Sequence, residues 1–199
     1  PGGRRVPGPA GAAARVAAPR CWLLPAGCGP LASGAAPLYP SPSLRVLVAH
    51  VGLTSVRGSR TVPVREFFVD FQLTAVEPGE LITSIEVPAA PAGAGSAFVK
   101  MSSLSENDWP AASVAALLDL SPEQQMLRLG LGALAPVPRF VELDVTGLGL
   151  EETVKAAIQA VDPMLDPIPD VRGSVSYKRQ LGLVATEDAV RHAWKDGLT

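Results

Sequence analysis

The run from Ala97 to Leu120, AFVKMSSLSENDWPAASVAALLDL, constrains this chain more than any other stretch. It opens as a short apolar strand interrupted by one cation, Lys100. It then turns through polar residues that include Asn107, Asp108 and Pro110, and leaves as a series of small and aliphatic residues. SVAALL gains nothing from water, so this part is expected inside a core. A lysine at the end of a buried strand, facing a polar turn, is a natural place to hold an anionic or electron-rich ligand. For Asp108 the plainer reading is local, because an Asn-Asp-Trp-Pro turn uses an Asx side chain for its own backbone hydrogen bonds.

The chain has 199 residues, enough for one ordinary domain with a true core, with or without a tail. Its 17 basic and 19 acidic residues leave a formal charge of -2, so charge makes no case for nucleic acid or an anionic membrane. No run approaches the roughly 18 uncharged apolar residues of a membrane span. Cys21 and Cys28 can be one disulfide or two free thiols, and two cysteines without a nearby histidine make no metal site. The absence of cysteine beyond them fits a cytoplasmic protein.

Residues 1–43 differ in character from the rest of the chain. Pro, Gly, Ala and Arg dominate, no period is sustained, and an irregular tail is expected. The short CWLLPAG run, broken by Pro25, is a poor signal peptide. Residues 44–199 read as one domain. LRVLVAHVGLTSV and TVPV, joined by RGSR, predict a hairpin from Leu44 onward, with His50 as an ordinary surface or core-edge residue. REFFVDF predicts one helical turn that plants Phe67, Phe68 and Phe71 in the core.

LITSIEV predicts a strand over Leu81–Val87, ended by Pro88. Strict alternation puts Leu81, Thr83, Ile85 and Val87 on one face and Ile82, Ser84 and Glu86 on the other. Ile82 is then an apolar residue on a polar face. Either it packs against a second element or it touches a flat apolar ligand, and the pattern leaves both open.

MLRLGLGALA is a further strand, in which Gly130 and Gly132 point to a bulge or a close backbone approach. EETVKAAIQAV is helical, with Val154, Ala157, Ile158 and Val161 along one stripe. Ser174 is a candidate N-cap for a last helix that carries Tyr177, Leu181, Val184 and Ala185 on one face, with Trp194 packing near its end. Strands followed by helices predict an α+β fold, a small antiparallel sheet with helices packed on one face. No phosphate loop, nucleophile elbow or hydrolytic Ser/His/Asp set is present, so no catalytic residue is assigned.

Five segments, RTVPVREFF, PGELITSIEVP, SAFVKMSSLSENDWPAASVAA, LGALAPVPR and DVRGSVSYKRQL, occur in that order. From Leu44 to Trp194 the chain resembles the C-terminal part of the FAD-binding medium subunit of molybdenum hydroxylases, the xanthine dehydrogenase and carbon monoxide dehydrogenase family. The resemblance implies an oxidoreductase component. It would relay electrons from an iron–sulfur small subunit to FAD and on to an acceptor such as NAD or a quinone. Molybdopterin chemistry would sit on a large subunit.

The resemblance also implies flavin contacts at Leu81, Ile82 and Lys100, the lysine answering negative charge that develops on reduction. Two features depart from the family. The glycine-rich loops that wrap the flavin diphosphate have no counterpart in residues 1–43, and Leu104 stands near a position where an arginine is frequent. A truncated flavoprotein subunit is therefore expected, with residues 1–43 either an irregular tail or a remnant of its flavin domain. The alternative is a subunit-docking module or inactive fragment that does not bind FAD by itself.

Overall fold

The structure, a computed structural model, describes residues 14–17, 41–105 and 108–199. In chain order the elements begin with β1 (Ala14–Ala17), α1 (Ser41–Val46), β2 (His50–Ser55) and β3 (Gly58–Pro63). The short turn α2 (Val64–Phe67), β4 (Phe68–Asp70), β5 (Leu73–Thr74) and β6 (Leu81–Val87) come next. The second half holds β7 (Gly95–Met101), β8 (Ala112–Asp119), β9 (Met126–Gly132), β10 (Arg139–Asp144), α3 (Leu150–Val161) and α4 (Val175–Gly197). Asn107, Cys21 and Cys28 lie outside the described residues.

The α+β expectation holds, with one refinement. Two four-stranded antiparallel sheets are present, ordered β1-β6-β2-β3 and β10-β9-β8-β7, and β4 and β5 form a small ribbon. Within the stretch expected to be irregular, Ala14–Ala17 pairs along β6 from Ala14 opposite Val87 to Ala17 opposite Ser84.

β8 explains why SVAALL is so apolar. Its residues from Ala112 to Leu118 are all buried because both faces of the sheet are covered. Ala112, Val114, Ala116 and Leu118 pack with α3 and α4, whereas Ala115 and Leu117 pack with Val46 of α1. Helices thus lie on both faces of this sheet, not on the one face expected from the element order, because β8 is apolar on both sides. α1 lies so close to β9 that a Cβ at Gly130 would collide with the Pro42 carbonyl, which is the close approach that the glycine pattern predicted.

α1 replaces the first half of the strand expected from Leu44. Its β-branched and aliphatic residues favour extended chain only weakly, and tertiary packing overrides that preference. As a helix it sends Leu44 into the core of the first sheet and Val46 into the core of the second. Val48 then takes a positive φ of 53° to turn the chain into β2.

Phe67 and Phe68 are buried as expected, with their rings edge to face at 5.2 Å. Phe71 is not; it is 49% exposed at the β4–β5 turn, where Gln72 takes φ 55°. α3 buries Val154, Ala157 and Val161 as its period requires. α4 starts at the Ser174 cap, whose Oγ accepts from Tyr177 N–H at 3.2 Å.

The buried stripe of α4 is Lys178, Gly182, Ala185, Ala189 and Ala193, so the face predicted from Tyr177 and Val184 is displaced. Tyr177 and Val184 are 46% and 42% exposed. Small residues win the inner face because α4 presses on β7, where a Cβ at Gly95 would strike the Ala193 carbonyl.

Candidate functional site

β6 carries Leu81 and Ile82, and its pairing with β2 slips by one residue. Gly52 lies opposite Ser84 and Leu53 opposite Ile82, so Thr83 is the extra residue of a β-bulge. Thr83 Oγ1 and Thr54 Oγ1 share a hydrogen bond at 3.1 Å, and Thr83 Oγ1 also donates to the Gly52 carbonyl at 3.3 Å. Gly52 admits this geometry, because a Cβ there would run into Ser84 Oγ.

The bulge overturns the strict alternation. Ile82 joins Ile85 and Val87 against the core of the first sheet, and Leu81 turns outward at 72% exposure. Ile82 is therefore not an apolar residue on a polar face. Its side chain takes the packing role, whereas Leu81 presents an apolar surface to the outside.

Lys100 lies in β7, an edge strand of the other sheet, opposite Ser113 and half-buried. The expected site residues thus come from two sheets, with Leu81 and Ile82 on one and Lys100 on the other. A flavin ring calls for an apolar surface and a cation near its pyrimidine end; Leu81 is an exposed apolar side chain and Lys100 a half-buried cation, on different sheets. A diphosphate calls for free amide donors. Gly147-Leu148-Gly149 leads into α3, but Glu152 Oε2 already accepts from Gly149 N–H at 2.9 Å. The approach to α3 therefore leaves no free Gly149 amide for a diphosphate.

A second cluster forms where the β7–β8 turn meets the approach to α4. Arg172 reaches Asp108 Oδ1 with Nη2 at 3.4 Å and Asp170 Oδ2 with Nη1 at 3.3 Å. Its guanidinium also stands 5.8 Å from the Trp109 ring centroid. Lys178, only 3% exposed, places Nζ 2.8 Å from Asp170 Oδ1 and donates to the Ile168 carbonyl at 2.8 Å. Burial pushes the Asp170 carboxyl up, but hydrogen bonds from Lys178 and the Arg172 amide outweigh it and hold the carboxyl below its ordinary range.

Beside this network is a cavity of about 200 Å³, walled by Phe71, Trp109 and Ile168 and floored by Asp170, Arg172 and Lys178. Gln72 and Ala133, two of the three non-glycine residues with positive φ among the described residues, also line it. The cavity can hold a compact planar group, but no nucleophile with an aligned base faces it. Sequence reading missed this cluster. Asp108, expected to serve its own turn, sends its carboxylate to a residue 64 positions away, and no local pattern announces such a pair.

Residues 25–90 match the FAD binding domain in molybdopterin dehydrogenase. The carbon monoxide dehydrogenase medium chain of Hydrogenophaga pseudoflava is 31% identical over 159 residues, which are 77% of this chain and 55% of that one. Its counterpart from Afipia carboxidovorans is 29% identical over 155 residues, 75% of this chain and 54% of that one. The solved carbon monoxide dehydrogenase of Hydrogenophaga pseudoflava aligns with a TM-score of 0.75 at 28% identity, covering 84% of this chain and 60% of that one.

This chain is similar to the FAD-binding medium subunits of molybdenum-containing dehydrogenases. The resemblance read from the five segments is borne out, and the two sheets with their helices are that family's fold. The chain spans about half the length of the curated relatives it matches, 54% and 55% of the two carbon monoxide dehydrogenase chains.

Proposed function

We infer that this chain is the flavin-covering part of an FAD-binding medium subunit in a molybdenum-containing dehydrogenase or hydroxylase. The match to the FAD domain over residues 25–90, continued by a fold alignment over 84% of the chain, carries this reading. Electrons would arrive from the iron–sulfur clusters of a small subunit and leave for an external acceptor, and substrate would be hydroxylated at molybdopterin on a large subunit. No helix among the described residues is long and apolar enough to cross a membrane. The working compartment proposed is the cytoplasm.

FAD, when bound, supplies the redox chemistry; the protein's share is to cover and bias it. Leu81 is the apolar surface offered to the ring system. Ile82, anchored in the core by the bulge, holds Leu81 outward. Lys100 is the cation that favours the reduced, negatively charged flavin.

Titration of the purified chain with FAD, followed by visible flavin absorbance, tests the reading. Little stoichiometric binding is expected from the chain alone, and clear binding is expected once a family flavin domain is supplied with the two partner subunits. Failure to bind flavin in that full mixture would sink the proposal. A docking module without flavin is the second reading, favoured by the self-capped Gly147-Leu148-Gly149 approach to α3.

A further inference from the structure

Away from the Arg172 cavity, arginines gather where α1, α2, β9 and β10 meet. Arg45 donates from Nη2 to the Arg65 carbonyl at 3.3 Å and stacks its guanidinium 5.8 Å from the Phe68 ring centroid. Arg65 lies 4.2 Å over the Phe140 ring and approaches Glu142 Oε2 at 3.9 Å. Glu142 is already shared, because Arg128 Nε contacts its Oε1 at 2.8 Å. Arg139 stands close enough to repel Arg45.

Arg65 and Arg128 thus share the Glu142 carboxylate, whereas Arg45, among the described residues, donates only to a backbone carbonyl. Arg45 is 7% exposed, and its Nε and the Nε of Arg139 are both buried without a hydrogen-bond partner. Residues 1–65 of the sequence contain no Asp or Glu. A buried guanidinium with unmet donors and cationic neighbours is costly unless an anion answers it. Burial, then the charges of Arg139 and Arg65, lower the Arg45 pKa to about 10, the direction such crowding requires.

We propose that this cluster is an oxyanion site for a phosphate group, with Arg45 as its buried donor and Arg65 and Arg139 on its flanks. Guanidinium forks match the oxygens of phosphate, and the surplus of positive charge suits a dianion better than a single carboxylate. The proposal is independent of the flavin reading, since none of Leu81, Ile82 and Lys100 belongs to the cluster.

Thermal unfolding of the full chain tests it, with chloride replaced at constant ionic strength by inorganic phosphate and, separately, by pyrophosphate. The midpoint should rise saturably by several degrees, and phosphorus NMR should show the anion line broadening. Response to phosphate marks free phosphate as the source. Response to pyrophosphate alone marks a nucleotide diphosphate.

Arg45→Met and Arg139→Gln should each abolish the response, and Arg45→Met should be no less stable than the parent in chloride. Arg139→Gln, at a half-exposed position, keeps the test decisive if the first variant misfolds. Equal midpoints in phosphate, pyrophosphate and chloride, or an unchanged response in Arg139→Gln, would overturn the site.

Discussion

Arg172 Nη2 stands 3.4 Å from Asp108 Oδ1, a contact that ties the turn before β8 to the start of α4 across 64 residues of chain. Both side chains are largely covered, at 22% and 20% exposure, so the pair is not a surface ornament. Arg172→Met removes one partner and leaves covered carboxylates behind. The expected cost is about 2–3 kcal/mol, read from the urea midpoint, with a change in tryptophan emission as Trp109 loses its guanidinium neighbour. A cost under about 0.5 kcal/mol would place the pair among inconsequential surface contacts.

The same cluster sets an acid dependence. Asp170 titrates below its ordinary range, so its contribution is present above the unfolded carboxylate pKa and is lost as pH falls through the folded value. Stability should therefore decline on acidification below about pH 4, taking the unfolded Asp value. Asp170→Asn should be less stable at neutral pH and should show a shallower decline. Parallel pH profiles for the two proteins would remove Asp170 from this role.

Close helix–sheet packing predicts an ordered glycine series. Gly95→Ala and Gly130→Ala drive a methyl group into backbone, at the Ala193 and Pro42 carbonyls, and should each cost about 2–3 kcal/mol. Gly182→Ala meets the Leu134 Cδ2 atom at 2.8 Å. That is the end of a flexible side chain, so a smaller loss of about 1 kcal/mol is expected. Denaturant midpoints that reversed the order would mean that α1 and α4 move away more easily than the Leu134 side chain rotates.

Lys100→Ala tests the flavin reading in the assembled complex. Removing a cation near the ring should lower the reduction potential of the flavin, by on the order of 30 mV if the contact is worth about 1.4 kcal/mol for a two-electron couple. Circular dichroism and the unfolding midpoint should stay close to the parent. An unchanged potential at full flavin occupancy would reject the role for Lys100.

Local patterns reached the parts of this protein in which neighbours in sequence are neighbours in space. The α3 stripe and the Ser174 cap arise from helical period and from a hydroxyl that must accept a nearby amide. The all-apolar SVAALL run likewise announced burial, and the structure shows it as a strand covered on both faces. The five segments carried the family because their order survives whatever packs around them.

What the sequence by itself determined is the α+β class, the buried β8, the cap of α4 and the family. Only the tertiary structure decided which way Leu81 and Ile82 point, because a single extra residue at Thr83 inverts the parity of a strand and no local preference records it. The tertiary structure also turned Leu44–Val46 into helix, left Phe71 at a cavity mouth and joined Asp108 to Arg172. Each of these outcomes depends on contacts between distant segments, whose energies exceed the small local propensities that a sequence displays.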